Sequence, residues 1–146
     1  LIFLAGGSGL SSPRSMILDL LACGDTRDIT LVYGARNRAE LYYHDELTAL
    51  AETHANFHYV PALNEPTDAC AWEGFRGYVH EAAARHFNGD FRAHRAYLCG
   101  PPVMIEACIR TLMQGRLFER DIFTEKFLTA ADAAQGIARS PLFKSI

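Results

Sequence analysis

Two stretches of this sequence carry residue types in an order suited to holding a phosphate-bearing ligand beside a reactive group. The first is Gly6-Gly7-Ser8-Gly9-Leu10-Ser11-Ser12-Pro13, which follows an apolar run and leads into an amphipathic segment. Glycines there let the backbone approach a ligand closely, and the free N–H groups of a helix start favour an anion such as a pyrophosphate. A tight strand-to-helix turn with no ligand is the plainer reading of the same residues. The second stretch is Tyr97-Leu98-Cys99-Gly100-Pro101-Pro102, after which Met104-Ile105 open a helix. A cysteine at the carboxyl edge of a strand, just before a Gly-Pro turn, points its thiol into a ligand crevice. A lone cysteine is more often a small core residue, but its pairing with the glycine turn on a neighbouring strand favours the ligand reading.

Those turns need strands and helices to hold them. Apolar runs predict strands at Ile2–Ala5, Ile29–Tyr33, Phe57–Ala62, Ala96–Cys99 and Ile122–Phe127, with helical periodicity between them. The first helix is expected to take Ser12 as N-cap and Pro13 at its first position, to bury Met16, Ile17, Leu20 and Leu21, and to stop at Gly24. The second is expected to begin near Asn37, with Glu40 as its capping-box partner, and to bury Leu47, Leu50 and Ala51. The third carries Val79, Ala82, Ala83 and Phe87 and ends at Asn88-Gly89. The fourth starts at Pro101-Pro102, buries Ile105, Cys108, Ile109 and Leu112, and stops at Gly115.

Strands alternating with helices imply βαβ units, hence a three-layer α/β fold. The expected sheet is open, parallel and five-stranded, with helices on both faces. Such sheets bind ligands at the carboxyl ends of their strands, where the order reverses. The stretch from Pro61 to Gly77 is aperiodic and turn-rich. The segment from Thr129 onward reads as a surface tail whose Leu142, Phe143 and Ile146 dock somewhere. The division is therefore a nucleotide-binding domain over residues 1–127 and a C-terminal tail over 128–146.

Bulk properties exclude several classes. The chain has 146 residues, 49% hydrophobic and 21% charged, which describes one folded domain with a core. Its net charge of −3 argues against a nucleic-acid surface, and no apolar run reaches the roughly 18 residues of a membrane span. Cys23, Cys70, Cys99 and Cys108 lack the C-x-x-C spacing of a zinc or iron–sulfur site, so reduced thiols in a cytoplasmic protein are expected, with no metal bound in this segment. The chain opens without Met inside the run Leu1–Leu4 and is read as a piece of a longer protein.

Gly7, Gly9 and Ser12 nearly match the G-x-G-x-x-G/A dinucleotide fingerprint, which also wants an acid at the end of the second strand. Here that strand ends Gly34-Ala35-Arg36, with no acid in place. The glycine turn and the Cys-Gly-Pro turn together instead resemble the ferredoxin–NADP reductase superfamily, in which a G-G-[ST]-G-x-x-P loop and a C-G-P-x-x-M-I turn recur. Glu125-Lys126-Phe127 matches that superfamily's Glu-x-aromatic ending, and the resemblance runs from Leu1 to Phe127. Ser11-Ser12-Pro13, Gly34-Ala35-Arg36-Asn37, Trp72-x-Gly74-x-x-Gly77 and the tail's Phe143-Lys144 are similar to the reductase components of bacterial multicomponent phenol hydroxylases.

The resemblance implies the strand order 3-2-1-4-5 and an NADH-oxidising domain that hands a hydride to FAD. A plant-type [2Fe–2S] domain and a flavin barrel, both outside this chain, would pass the electrons on to an oxygenase component. It implies that Gly6, Gly7, Ser8, Gly9, Ser12 and Pro13 hold the pyrophosphate, with Gly34, Ala35 and Arg36 beside the nucleotide. Cys99, Gly100, Pro101 and Met104 would shape the nicotinamide pocket. Glu125 would stand near the flavin edge, and Phe127 would cover the flavin face. NADP-specific members carry a Ser-Arg pair after the third strand; here the stretch reads Ala62-Leu63-Asn64-Glu65, which favours NADH, while Arg36 and Arg38 leave NADPH open. Two other readings are a nucleotide sensor without redox turnover, which leaves Cys99 and Glu125 to Phe127 unexplained, and a two-half dehydrogenase, weakened by the missing acid. His54 and His58 straddle a helix end and a strand start, so a shared metal is not expected. Trp72 reads as a loop anchor.

Overall fold

The computed structural model describes residues 1–126; Phe127 and the tail lie outside the described residues. Aliphatic runs with no polar alternation are the mark of strands covered on both faces, and the first of these becomes β1 (Ile2–Gly6), buried at every residue. It is followed by α1 (Ser11–Ala22), β2 (Ile29–Ala35), α2 (His44–Thr53), β3 (Phe57–Leu63), β4 (Phe75–Arg76), α3 (Val79–His86), β5 (Ala96–Gly100), α4 (Pro102–Gln114) and β6 (Ile122–Lys126). All pairings are parallel, in the order β4-β3-β2-β1-β5-β6.

The period-two alternation of β1 divides the interior in two. Ile2 and Leu4 face a core built with α3 and α4 (Ala82, Phe91, Ile105, Leu112), while Phe3 and Ala5 face one built with α1 and α2 (Ile17, Tyr33, Leu47, Phe57). On the second face the rings of Phe3, Tyr97 and Phe123 stack in a row across β1, β5 and β6, with centroids 5.2 and 5.1 Å apart. This aromatic row ties the last strand to the centre of the sheet.

Several expectations need correction. The sheet has six strands, not five: the five expected strands keep their 3-2-1-4-5 order, and β4 adds to the edge beside β3. It was hidden because two residues are too few to show a period, and it lies in the stretch that reads as turns. Trp72 anchors that stretch: its indole N–H donates to the Phe75 carbonyl at 2.9 Å. The first helix is not capped by Ser12. A 3-10 turn over Gly7–Leu10 runs straight into α1, which starts at Ser11 without a side-chain cap. Pro13 is thus the third helical residue, still in the first turn, where a residue without an N–H is tolerated. Met16, expected in the core, is 37% exposed. The second helix starts at His44, not Asn37; a 3-10 turn occupies Arg38–Glu40, and the Glu40 carboxylate accepts from Arg36 and, at 3.4 Å, from the Asn37 side-chain amide instead of closing a capping box. The fourth helix, by contrast, runs as expected from Pro102 and ends at Gly115.

Gly9 is where the fold leaves no freedom. A Cβ there would collide with the Cys99 carbonyl and lie 2.8 Å from the Gly100 Cα, both backbone atoms of β5 that cannot swing aside. Gly9→Ala is expected to destabilise the domain by about 1–3 kcal/mol, the usual cost of overpacking. Urea denaturation of the variant against the parent checks this, and an unshifted midpoint would show that the loop yields instead.

Candidate functional site

β1 lies between β2 and β5, so the strand order reverses beside it, and the crevice above its carboxyl end is where an open parallel sheet takes a ligand. A cavity of about 310 Å³ opens there. Its walls come from three turns: Gly6 and Gly7 after β1, Gly34, Ala35 and Arg36 at the end of β2, and Pro101 and Met104 after β5. Seven residues chosen from sequence therefore converge on one cavity. Glu40, Asn64, Gly77, Tyr78 and Val79 complete it.

The backbone of the glycine turn is shaped from below. Gly7 has φ +55, a left-handed conformation that a side chain would strain. Its carbonyl accepts a hydrogen bond at 3.1 Å from the hydroxyl of Tyr33, a ring with no exposed surface. The same hydroxyl lies 3.4 Å from the Glu40 carbonyl and accepts the Tyr42 N–H at 3.4 Å. Burial pushes the Tyr33 phenol up to about 12, so it stays a donor throughout the physiological range. One buried phenol thus joins the glycine turn to the 3-10 turn that carries Glu40.

Glu40 is the polar side chain that sequence reading missed. Assigned to a helix cap, it instead reaches the cavity and clasps Arg36 through both carboxylate oxygens, at 2.7 and 3.1 Å. Hydrogen bonds from Arg36 hold its carboxyl below the usual range. An acid thus stands on the cavity wall five residues beyond the end of the second strand, where the strand itself carries none. The i,i+4 spacing of Arg36 and Glu40 was the available signal.

The remaining candidates divide into two groups. Ser8 is exposed on the loop, whereas Gly9, Pro13 and Gly100 are buried in the supporting turns. Ser12 and Glu125 line a second cleft together with Ser11, Ser15, Met16 and Tyr97, whereas Cys99, expected to point its thiol into the ligand crevice, lies buried against Glu125 and lines neither that cleft nor the cavity. Parallel register sets Cys99 between Ala5 and Glu125. Cys99 is itself buried, 3% exposed, and its Sγ lies 3.5 Å from Glu125 Oε2. Burial first, then the Glu125 charge and hydrogen bond, push the thiol up to about 12, against a smaller opposing hydrogen bond from Ser12. No cluster of three or more His, Cys, Asp or Glu suited to a metal occurs among the described residues. All four cysteines are free thiols, and no helix among the described residues is long and apolar enough to cross a membrane.

A glycine turn, a Cys-Gly-Pro turn and an acid-bearing turn around one reversal point define a doubly wound, nucleotide-binding α/β domain. Comparison with known proteins makes the class specific. The family model described as "Oxidoreductase NAD-binding domain" matches residues 3–110, and the chain belongs to that family. It is 66% identical over 146 residues to the reductase component of phenol 2-monooxygenase from Pseudomonas sp. strain CF600, covering all of this chain and 41% of that protein. It is 59% identical over 145 residues to the phenol hydroxylase P5 protein of Acinetobacter pittii strain PHEA-2, covering 99% of this chain and again 41% of the relative. Among solved structures, a cytochrome P-450 reductase of Amycolatopsis matches with a TM-score of 0.76 at 31% identity, over 86% of this chain and 37% of that one. The chain thus spans about two-fifths of the length of the curated relatives it matches.

The raised Cys99 thiol has a consequence for stability. A folded value above the ordinary 9.0 means that the folded chain holds this proton more tightly than the unfolded chain does. The stabilisation is complete below the unfolded value and is lost as pH climbs from about 9 toward about 12. Urea midpoints measured across that interval are expected to fall, and to fall less steeply in Cys99→Ala. Identical slopes in the two proteins would show that the thiol is not coupled to folding.

Proposed function

We propose that this chain binds NADH and presents its nicotinamide for hydride transfer to FAD, as the nucleotide domain of a reductase that supplies electrons to an aromatic-ring monooxygenase of phenol hydroxylase type. The observation that carries this reading is the convergence of Gly6 and Gly7 after β1 with Pro101 and Met104 after β5 on one crevice at the reversal point of the sheet. High identity to a phenol 2-monooxygenase reductase component and to a phenol hydroxylase P5 protein supports the choice of electron acceptor. The flavin barrel and the [2Fe–2S] domain belong, on this reading, to parts of the protein outside this chain, and the oxygenase component is its partner. A cytoplasmic setting agrees with its four free thiols.

The residues present fit a dinucleotide. Backbone N–H groups at Gly7, Ser8, Gly9 and the start of α1 would receive the pyrophosphate, where the helix dipole favours negative charge. A Cβ at Gly6 would stand 2.5 Å from Met104 Sδ, so a side chain there would have to displace the Met104 side chain from the cavity wall. Gly34, Ala35 and Arg36 would border the adenosine half, and Gly100, Pro101 and Met104 the nicotinamide half, with Cys99 beneath. When bound, the nicotinamide supplies the hydride. What this chain contributes is placement, with the ring held at the open end of the crevice toward a flavin. Glu125 and Phe127 would stand at that end.

Glu40 gives the preference for NADH a physical basis. Ribose hydroxyls can donate to its carboxylate, whereas a 2′-phosphate would meet a like charge and an Arg36 already engaged twice. Glu65, in the stretch where NADP-specific members of the resembling family carry a Ser-Arg pair, would repel an added phosphate dianion.

Stopped-flow reduction of the full-length, flavin-loaded protein by each nucleotide tests the proposal. NADH should bleach the flavin faster than NADPH, and Glu40→Gln should narrow the ratio by about tenfold, equivalent to ~1.4 kcal/mol. Equal rates in the parent protein would remove the specificity role of Glu40. A purified full-length protein without flavin would overturn the reductase reading and favour a nucleotide sensor.

A further inference from the structure

The Ser12 hydroxyl is turned away from the glycine-lined cavity and engaged elsewhere. It donates to Glu125 Oε2 at 2.8 Å, and the same oxygen lies 3.5 Å from the Cys99 sulfur. The three residues come from the first turn of α1, the carboxyl end of β5 and the carboxyl end of β6. Glu125 is exposed, so its three side-chain torsions are free unless a partner holds them. Its neighbour Lys126 is engaged by Glu106 at 2.7 Å. The Cys99 thiol is a weak donor and does not suffice to hold a carboxylate. Ser12 can hold it, because its hydroxyl turns on a single torsion, is fixed by a helix and donates to an ionised acceptor.

We propose that Ser12 is a positioning residue, whose hydroxyl holds the Glu125 carboxylate against the Cys99 thiol and so ties the start of α1 to the crevice wall under the nicotinamide. The nicotinamide part rests on the function proposed above; the hydroxyl–carboxylate–thiol linkage does not. The helix whose first turn would receive the pyrophosphate then also sets the wall at the other end of the crevice. Gly9 makes this possible, since it lets the loop lie directly on the Cys99 carbonyl. Without the hydroxyl, Glu125 is free to rotate into solvent. Cys99 then loses the carboxylate that, after burial, does most to keep it protonated.

The test uses the full-length protein with Ser12→Ala, Ser12→Thr, Glu125→Gln and the double variant Ser12→Ala/Glu125→Gln, each first shown to melt as the parent does. Alkylation of Cys99 by iodoacetamide at mildly alkaline pH is followed by peptide mass mapping, which separates it from Cys23, Cys70 and Cys108. Ser12→Ala and Glu125→Gln are each expected to speed alkylation of Cys99 by about three- to tenfold, with the double variant no faster than either, the sign of a shared interaction. Ser12→Thr, which keeps the hydroxyl, should restore the parent rate. In steady-state NADH oxidation, Ser12→Ala should lower kcat by about three- to tenfold with KM changed by less than about twofold. Multiplicative effects in the double variant, or an unchanged alkylation rate in Ser12→Ala, would overturn the linkage. If the alanine variant melts early, Glu125→Gln and Ser12→Thr carry the comparison. Altered alkylation together with an absence of NADH oxidation in the parent would count against the nicotinamide reading and leave the linkage standing.

Discussion

The glycine turn must lie flat on the end of β5, and much of the site follows from that closeness. Backbone packs against backbone at Gly9, where the Cys99 carbonyl and Gly100 leave no volume for a methyl group. A parallel sheet with strands about 4.8 Å apart offers that proximity only between adjacent strands. The turn after β1 can therefore meet the turn after β5 only because β1 and β5 are neighbours. The same adjacency puts the strand-order reversal beside β1, so packing and ligand geometry share one cause.

The Tyr33 hydroxyl carries the constraint to the other side of the crevice. A phenol with no exposed surface needs a hydrogen-bond partner, because an unpaired buried hydroxyl costs roughly 1–3 kcal/mol. Its nearest partners are the backbone of Gly7 and of Glu40, one on each side of the opening. The fold thus uses one buried polar group to place both the anion-binding turn and the acid that discriminates ribose from ribose phosphate on the proposed reading. The aromatic row of Phe3, Tyr97 and Phe123 acts in the same sense on the far side, holding β6 and therefore Glu125 in register with Cys99.

The chain itself supplies little acid–base chemistry at the crevice. Its thiol is kept protonated by burial and by Glu125, and its acid is tied to Arg36. That is the pattern expected where a bound cofactor carries the reaction and the protein contributes placement. It agrees with membership of an oxidoreductase NAD-binding family and with a chain that makes up about two-fifths of its relatives.

Local sequence determined the strands, the helices and the two turns, because each depends on short-range chemistry: aliphatic runs, helical spacing, and Gly and Pro where the backbone turns. Pro102 and Gly115 bracketed α4 for that reason, while the order of five strands came from the family resemblance that those turns carry. Only the tertiary structure decided what depends on neighbours distant in sequence. β4 is a strand because β3 offers it an edge, not because two residues have a pattern. Ser12 looked like a cap, but its hydroxyl found a carboxylate 113 residues away, a stronger acceptor than a backbone group in a helix that was already running. Glu40 looked like a capping partner, yet Arg36 offered it two charge-assisted hydrogen bonds and a place on the cavity wall. Polar side chains choose the best partner that folding brings within reach, and a linear sequence does not state which partners those are.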